Sequence, residues 1–226
     1  MSNSSLVSYT KISPNRTSPR NHKIDTITIH CVVGQWTAKQ IADYFSSREI
    51  GASPNYGVGT DGKISLCVHE KDRSWCSSNA SNDHRAITIE VASDTSHPYA
   101  VNDKAYEALI NLLVDICKRN GIPRLLWKGD KTLIGQVAKQ NMTVHRWFKS
   151  KACPGDYLYN RHGKIAEEVN KRLCGSVKPS LEEDVGVLVK YGVIDSPVFW
   201  KTKAPTYKSV PELIHKFAEY VRNKEE

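Results

Sequence analysis

The chain lacks any run of 18 apolar residues, so no segment reads as a membrane-spanning helix. Met1 to Arg20 is rich in Ser, Asn and Pro and has no apolar stretch of the kind a cleavable secretory signal needs. Six cysteines, at positions 31, 67, 76, 117, 153 and 174, show neither a CxxC pair nor disulfide-rich spacing. That excludes a zinc finger or ribbon and makes most of them buried free thiols. There is no internal repeat. The basic residues are dispersed, with no helix-turn-helix or finger signature, which argues against nucleic-acid binding.

What is present is a chain of 226 residues, 39% hydrophobic and 25% charged, with 32 Lys+Arg against 24 Asp+Glu. It is long enough to bury a core and too apolar for disorder to be its main state. The charge is uneven. From Ser176 onward there are 8 basic and 8 acidic residues, so the whole +8 belongs to residues 1–175. A basic body with a neutral tail suits an anionic partner, such as a polyanionic cell wall.

Ile24 to Cys31 alternates and is β-branched, the pattern of a strand. Thr37 and Gln40 form a capping box before a helix carrying Ile41, Tyr44 and Phe45. Asn55–Thr60 and Lys63–Val68 flank Asp61-Gly62, a hairpin signal. Ala86 to Ala92 is a further strand, and Asn102 to Asn120 the longest helix, ended by Gly121 and Pro123. Asn141 to Arg146 is a short extended piece, and His162 to Leu173 a helix. Strands alternating with helices, plus a hairpin, predict an α/β fold with a central mixed sheet flanked by helices. Residues 176–180 read as a linker. Residues 181–226 read as a small helical unit for wall binding or dimerisation, with capping boxes at Ser180/Glu183 and Ser209/Glu212. Its two helices are expected to bury Leu181, Val185, Leu188 and Val189, and Leu213, Ile214, Phe217, Ala218 and Val221. Trp200, Tyr207 and Tyr191 fit either helix packing or an aromatic patch.

Alternation assigns faces. Ile27, Ile29 and Cys31 oppose Thr26, Thr28 and His30. Ile87, Ile89 and Val91 oppose Thr88 and Glu90, and Met142 and Val144 oppose Thr143 and His145. If the apolar faces line one core, His30, Glu90 and His145 share one surface. A catalytic zinc needs three protein ligands and an open position. His30 and His145 suit two of them, and Cys153, eight residues after His145, is a nearby third donor. Taken singly, either histidine also suits a hydrogen-bonded core position, Glu90 an outward strand position, Tyr56 sheet packing, and Lys151 a solvated loop.

TITIHCVVG around His30, NYGVGTDGKIS around Tyr56, AITIEVASD around Glu90, TVHRW around His145 and KACPG around Cys153 together resemble one family. It is the zinc-dependent N-acetylmuramoyl-L-alanine amidases of type 2, which share their fold with peptidoglycan recognition proteins and amidase-type phage lysozymes. The resemblance covers residues 22 to 174 and is nearest to endolysins of Gram-positive phages or prophages. It implies His30, His145 and Cys153 as ligands of Zn2+, and Lys151 as the oxyanion partner. Either Glu90 or Tyr56 is implied as the base. The implied reaction is hydrolysis of the lactyl–L-Ala amide of peptidoglycan. The Trp75–Asn79 and Asn82–Arg85 loops, with Asn79, His84 and Arg85, are expected to line the groove, and Trp36 and Trp147 to flank it.

The expected route is cytoplasmic accumulation followed by release to the wall through a membrane lesion. A non-catalytic peptidoglycan-binding protein and a cytoplasmic muropeptide-recycling amidase are the alternatives. A cysteine peptidase using Cys31 with His84 or His145 is disfavoured, because Cys31 falls on the apolar face.

Overall fold

A computed structural model describes residues 2–174 and 180–222. The chain divides into two compact units, Met1–Leu173 and Cys174–Glu226. Of the expected linker at 176–180, all but Ser180 lies outside the described residues.

In the first unit the strands are β1 (Val7–Thr10), β2 (Arg16–Thr17), β3 (Thr26–Cys31), β4 (Tyr56–Val58), β5 (Ile64–Leu66), β6 (Arg73–Ser74), β7 (Ala86–Val91) and β8 (Met142–Thr143). Its helices are α1 (Ala38–Phe45), α2 (Ala80–Arg85), α3 (Asp103–Asn120) and α4 (Gly155–Cys174). Six strands form one sheet in the order β1-β5-β4-β7-β3-β8, and β2 pairs with β6 separately. β4 and β5 are antiparallel, as the Asp-Gly turn predicts, and the other pairs of the large sheet are parallel. The sheet is therefore mixed.

One face of the sheet carries Ile27, Ile29, Ile87, Ile89 and Met142, which pack with Leu109, Leu113 and Ile116 of α3 and Leu158, Ile165 and Val169 of α4. That is the main core. The helices sit where periodicity placed them, with one extension. α4 begins at Gly155, directly after Pro154, whose sequence position predicts a helical turn, and runs unbroken through the helix expected from His162. The expected extended piece is shorter than drawn: only Met142–Thr143 pairs, and His145–Trp147 is a 3-10 turn. α2, β1, β2 and β6 carry weak or no periodic signal.

The other face is polar yet mostly buried. Thr28, Thr88 and Thr143 are no more than 3% exposed. Their hydroxyls need partners, because an unpaired buried polar group is costly. Thr28 and Thr143 share a hydrogen bond of 2.7 Å. Asn82 of α2 clamps both: its Nδ2 donates to Thr28 Oγ1 at 3.0 Å, and its Oδ1 accepts from Thr143 Oγ1 at 2.9 Å. Ser74 and Asn55 serve Thr88 in the same way. α1 covers the β4/β5 side of this face. A side chain at Gly57 would meet Ile41 Cγ2 at 2.6 Å.

The second unit holds α5 (Leu181–Lys190), α6 (Pro197–Lys203) and α7 (Val210–Arg222). Ser180 and Glu183 form the expected capping box. Val185, Leu188, Ala204, Ile214 and Ala218 make its core, with Trp200 packed against it. Leu213 and Phe217, expected inside, are 54% and 51% exposed. The buried stripe of α7 runs through Ile214 and Ala218, one helical position away, and a strip that narrow leaves its neighbours in solvent. Tyr207 is exposed as well. Buried Asp184 ties α5 to α7, accepting from His215 Nδ1 at 2.8 Å and Arg222 Nη2 at 2.7 Å. Among the described residues no helix is long and apolar enough to cross a membrane.

Asn82→Ala removes the clamp on both threonines. It is expected to destabilise the first unit by roughly 1–3 kcal/mol in urea unfolding. A change within error would show that the Thr28–Thr143 pair alone satisfies this layer.

Candidate active site

Register places the chemistry. β3 and β7 pair in parallel with His30 opposite Glu90 and Thr28 opposite Thr88. Two side chains directly opposite in neighbouring strands point to the same face, so His30 and Glu90 stand side by side at the carboxyl ends of their strands. β8 pairs Thr143 with Thr28, and the chain then turns at His145. The His30 and His145 rings lie 5.1 Å apart, edge to face. The loop after His145 returns, and Arg146 N–H donates to the Cys153 carbonyl at 3.2 Å. Cys153 Sγ then lies 3.3 Å from His30 Nδ1.

Gly155 makes that return path possible. It has φ +79°, and a Cβ there would sit 2.7 Å from the Tyr99 Cβ. Arg146 adds a brace, its guanidinium bonding Asp156 Oδ1 and the Ala152 carbonyl.

One donor atom each from His30, His145 and Cys153 lie within 4.8 Å of one another, a set able to hold a divalent metal ion. The chemistry of the donors fits zinc: two imidazoles and one thiol. Burial, then the neighbouring His145 and His162, hold the His30 pKa well below the ordinary value. Burial and Lys151 lower that of His145. Both rings are thus neutral and free to donate a lone pair. Burial pushes the Cys153 thiol well up, and a bound cation reverses that direction. The Ser78 hydroxyl meets His145 Nε2 at 3.1 Å, which leaves Nδ1 to face the metal position. Ser78 has φ +60°, a strained conformation for a residue with a side chain.

Asp83 shapes the loop that carries Ser78. It accepts from Cys76 N–H at 3.0 Å, Ser77 N–H at 3.1 Å and Ser77 Oγ at 2.5 Å. Asn79 caps α2, its side chain accepting from Asn82 N–H at 2.9 Å. Beside this loop lies a cavity of about 500 Å³ lined by Trp75, Cys76, Ser78, Asn79, His145 and Lys151, among others.

Glu90 faces the same centre. Burial first, and the adjacent Cys31, push its pKa up to about 8. Its Oε1 lies 3.8 Å from Cys76 Sγ, and its Oε2 has no hydrogen-bond partner.

Five expected site residues lie elsewhere. Tyr56 pairs with Ile89, and Gly57 with Glu90, so Tyr56 is on the apolar face. It is fully buried, with its hydroxyl donating to Glu70 Oε1 at 2.6 Å and accepting from Ser4 N–H at 2.9 Å. Burial and Glu70 raise its pKa well above the ordinary tyrosine value. Arg85 and His84 precede β7 and therefore sit at the amino ends of the strands, away from Glu90. Arg85 is paired with Asp25 at 2.7 and 3.0 Å, and His84 Nδ1 accepts from Asn21 N–H. Trp147 is 8% exposed and stacks flat on Trp127, with ring centroids 5.1 Å apart. Trp36 packs on Tyr44 at 5.0 Å and does not line the cavity. Sequence reasoning gave no role to Ser78, Asn82 and Asp83 individually. The signal for them is an Asn79 cap followed by Asn and Asp before a strand.

Parallel strands whose carboxyl ends carry a His-His-Cys donor set, buried at His30 and half-buried at His145 and Cys153, beside a carboxylate define a metal-hydrolase type of centre. The sequence profile of the N-acetylmuramoyl-L-alanine amidases matches residues 20–156, and the chain belongs to that family. It is an N-acetylmuramoyl-L-alanine amidase acting on peptidoglycan. No curated protein sequence matches the chain significantly. Solved structures share its fold. PlyL is 16% identical with a TM-score of 0.54, covering 71% of this chain and 95% of its own. A mutant endolysin from Bacillus subtilis is 19% identical with a TM-score of 0.52, covering 71% and 97%. AmpD is 18% identical with a TM-score of 0.51, covering 72% and 96%. At these identities the likeness concerns the fold, which is that of phage endolysins and AmpD-type amidases.

The raised Glu90 pKa has a sign that can be checked. The native metal-free state holds the Glu90 proton up to about pH 8, whereas the unfolded state releases it near the ordinary value of 4.5. Stability contributed by this group is therefore present below pH 4.5 and is lost as pH rises through 8. Glu90→Gln in metal-free protein is expected to unfold at higher urea than the parent at pH 9, with the gap closing at pH 4. An equal gap at both pH values would show that Glu90 is not held protonated.

Proposed function

We propose that this amidase is zinc-dependent and works as an endolysin of phage or prophage type. The observation that carries the metal reading is the convergence of His30, His145 and Cys153 from three separate segments, beside a carboxylate whose Oε2 has no partner. Zinc, when bound by these three residues, supplies electrophilic polarisation of the lactyl carbonyl and a lowered pKa for water.

The chain's own residues do the rest. Glu90 takes the proton of the attacking water and returns it to the departing L-alanine nitrogen. Its position on β7, one strand from His30, holds it against the same reacting centre. Lys151, exposed at the cavity beside His145, places a cation where negative charge develops on the carbonyl oxygen. Trp75 and Asn79 line the cavity at the side where the glycan-peptide extends. The basic first unit favours approach to a wall rich in phosphate and carboxylate. The second unit, neutral in charge, contributes a wall contact that is largely insensitive to salt. Accumulation in the cytoplasm before release to the wall belongs to the same reading.

Three measurements test this. Cys153→Ala and His30→Ala are expected to lose bound zinc and peptidoglycan hydrolysis together while keeping the far-ultraviolet spectrum of the parent. Mass spectrometry of digested muropeptides is expected to show new free L-alanine amino termini that vanish with chelator. New reducing sugar ends would instead point to glycan cleavage and defeat the assignment. Lys151→Ala is expected to lower kcat by about ten- to a thousand-fold with little change in KM. Equal effects on both would make Lys151 a binding residue only.

A further inference from the structure

The donor atoms around His30 do not end with His145 and Cys153. One donor atom each from His30, Cys76 and Glu90 also lie within 4.8 Å of one another. Cys76 Sγ is 3.8 Å from Glu90 Oε1. Two atoms of this group are buried without any hydrogen-bond partner, His30 Nε2 and Glu90 Oε2. His30 itself has no exposed surface, and its other nitrogen, Nδ1, lies 3.3 Å from Cys153 Sγ. A buried ring nitrogen and a buried carboxylate oxygen, both without partners and gathered beside a thiol, are what a cation would satisfy.

We propose that the centre carries a second metal position, built from Cys76 Sγ, the Glu90 carboxylate and His30 Nε2, that takes a soft divalent cation. His30 then bridges two ions, Nδ1 towards Cys153 and Nε2 towards Cys76. The backbone is already arranged for this. The β3/β7 register fixes His30 beside Glu90, and Asp83 holds the Cys76 N–H at 3.0 Å. A sulfur, nitrogen and oxygen donor set selects Zn2+ or Cd2+ over Mg2+ and Ca2+.

The functional consequence rests on the proposed role of Glu90. A carboxylate held as a ligand cannot take a proton from water, so a second ion inhibits. Excess metal would thus switch off the enzyme that a first equivalent switches on.

The test uses the full chain loaded with one equivalent of zinc and dialysed against micromolar Cd2+. The parent is expected to keep its zinc and take up one cadmium, with new ultraviolet absorption from a cadmium–thiolate bond. Cys76→Ser and, independently, Glu90→Gln are expected to keep the zinc and lose the cadmium. Half-inhibition of hydrolysis in Cys76→Ser should need at least tenfold more Cd2+ than in the parent. One-for-one replacement of zinc by cadmium in the parent, or full cadmium uptake by Cys76→Ser, would overturn the second position. Zinc retained by Cys153→Ala is a separate outcome. It would sink the ligand assignment behind the inhibition, while the cadmium count would still judge the Cys76 position.

Discussion

The parallel, in-register pairing of β3 with β7 is the constraint on which the centre depends. It sets His30 beside Glu90 and, two residues back, Thr28 beside Thr88. A slip of one residue would turn His30 and Glu90 into the apolar core and bring Ile29 and Ile89 to the centre. Such a slip would bury two polar groups without partners and expose two large apolar ones. Both the core packing and the polar layer therefore defend the same register. The Asn82 clamp adds a third check, because it reaches only a Thr28–Thr143 pair in this alignment.

Burial does the electrostatic work at the centre. It keeps both imidazoles neutral, raises the Cys153 thiol and raises Glu90 to about 8. Every one of these shifts follows from low polarity around a group that prefers water when charged. A cation placed among them reverses the sign for the thiol and the carboxyl and leaves the imidazoles ready to donate. The site is thus poorly solvated by itself and well suited to a positive ion.

Much of this was legible in the sequence, for definable reasons. The Thr26–Cys31 and Ala86–Val91 segments alternate cleanly, so their faces could be read one strand at a time. Tyr56 could not be read that way. Its face depends on whether it or Gly57 lies opposite Glu90, and that register comes from pairing with β7 rather than from its own neighbours. His84 and Arg85 lie close to Glu90 in sequence, but the direction of β7 carries them to the far end of the sheet. Trp147 follows His145 by two residues, yet the 3-10 turn swings it against Trp127. In α7 the Ser209-x-x-Glu212 pattern marks the start in sequence but not the rotation about the axis, which tertiary packing decides. The six-residue α2 is too short and polar for periodicity, although it braces both the threonine layer and the Ser78 loop.

The bond between His30 and Cys153 spans 123 residues. Few elements of a chain this size are joined across a longer stretch, and closing such a loop is slow compared with forming a helix. During synthesis His30 emerges early and waits for its partner. The parallel strand β8 and the return loop complete the centre only after nearly the whole first unit has left the ribosome. A first unit cut short before Cys153 lacks one of the three gathered donors. The order of residues along the polypeptide thus leaves the donor set incomplete until late in the synthesis of the first unit.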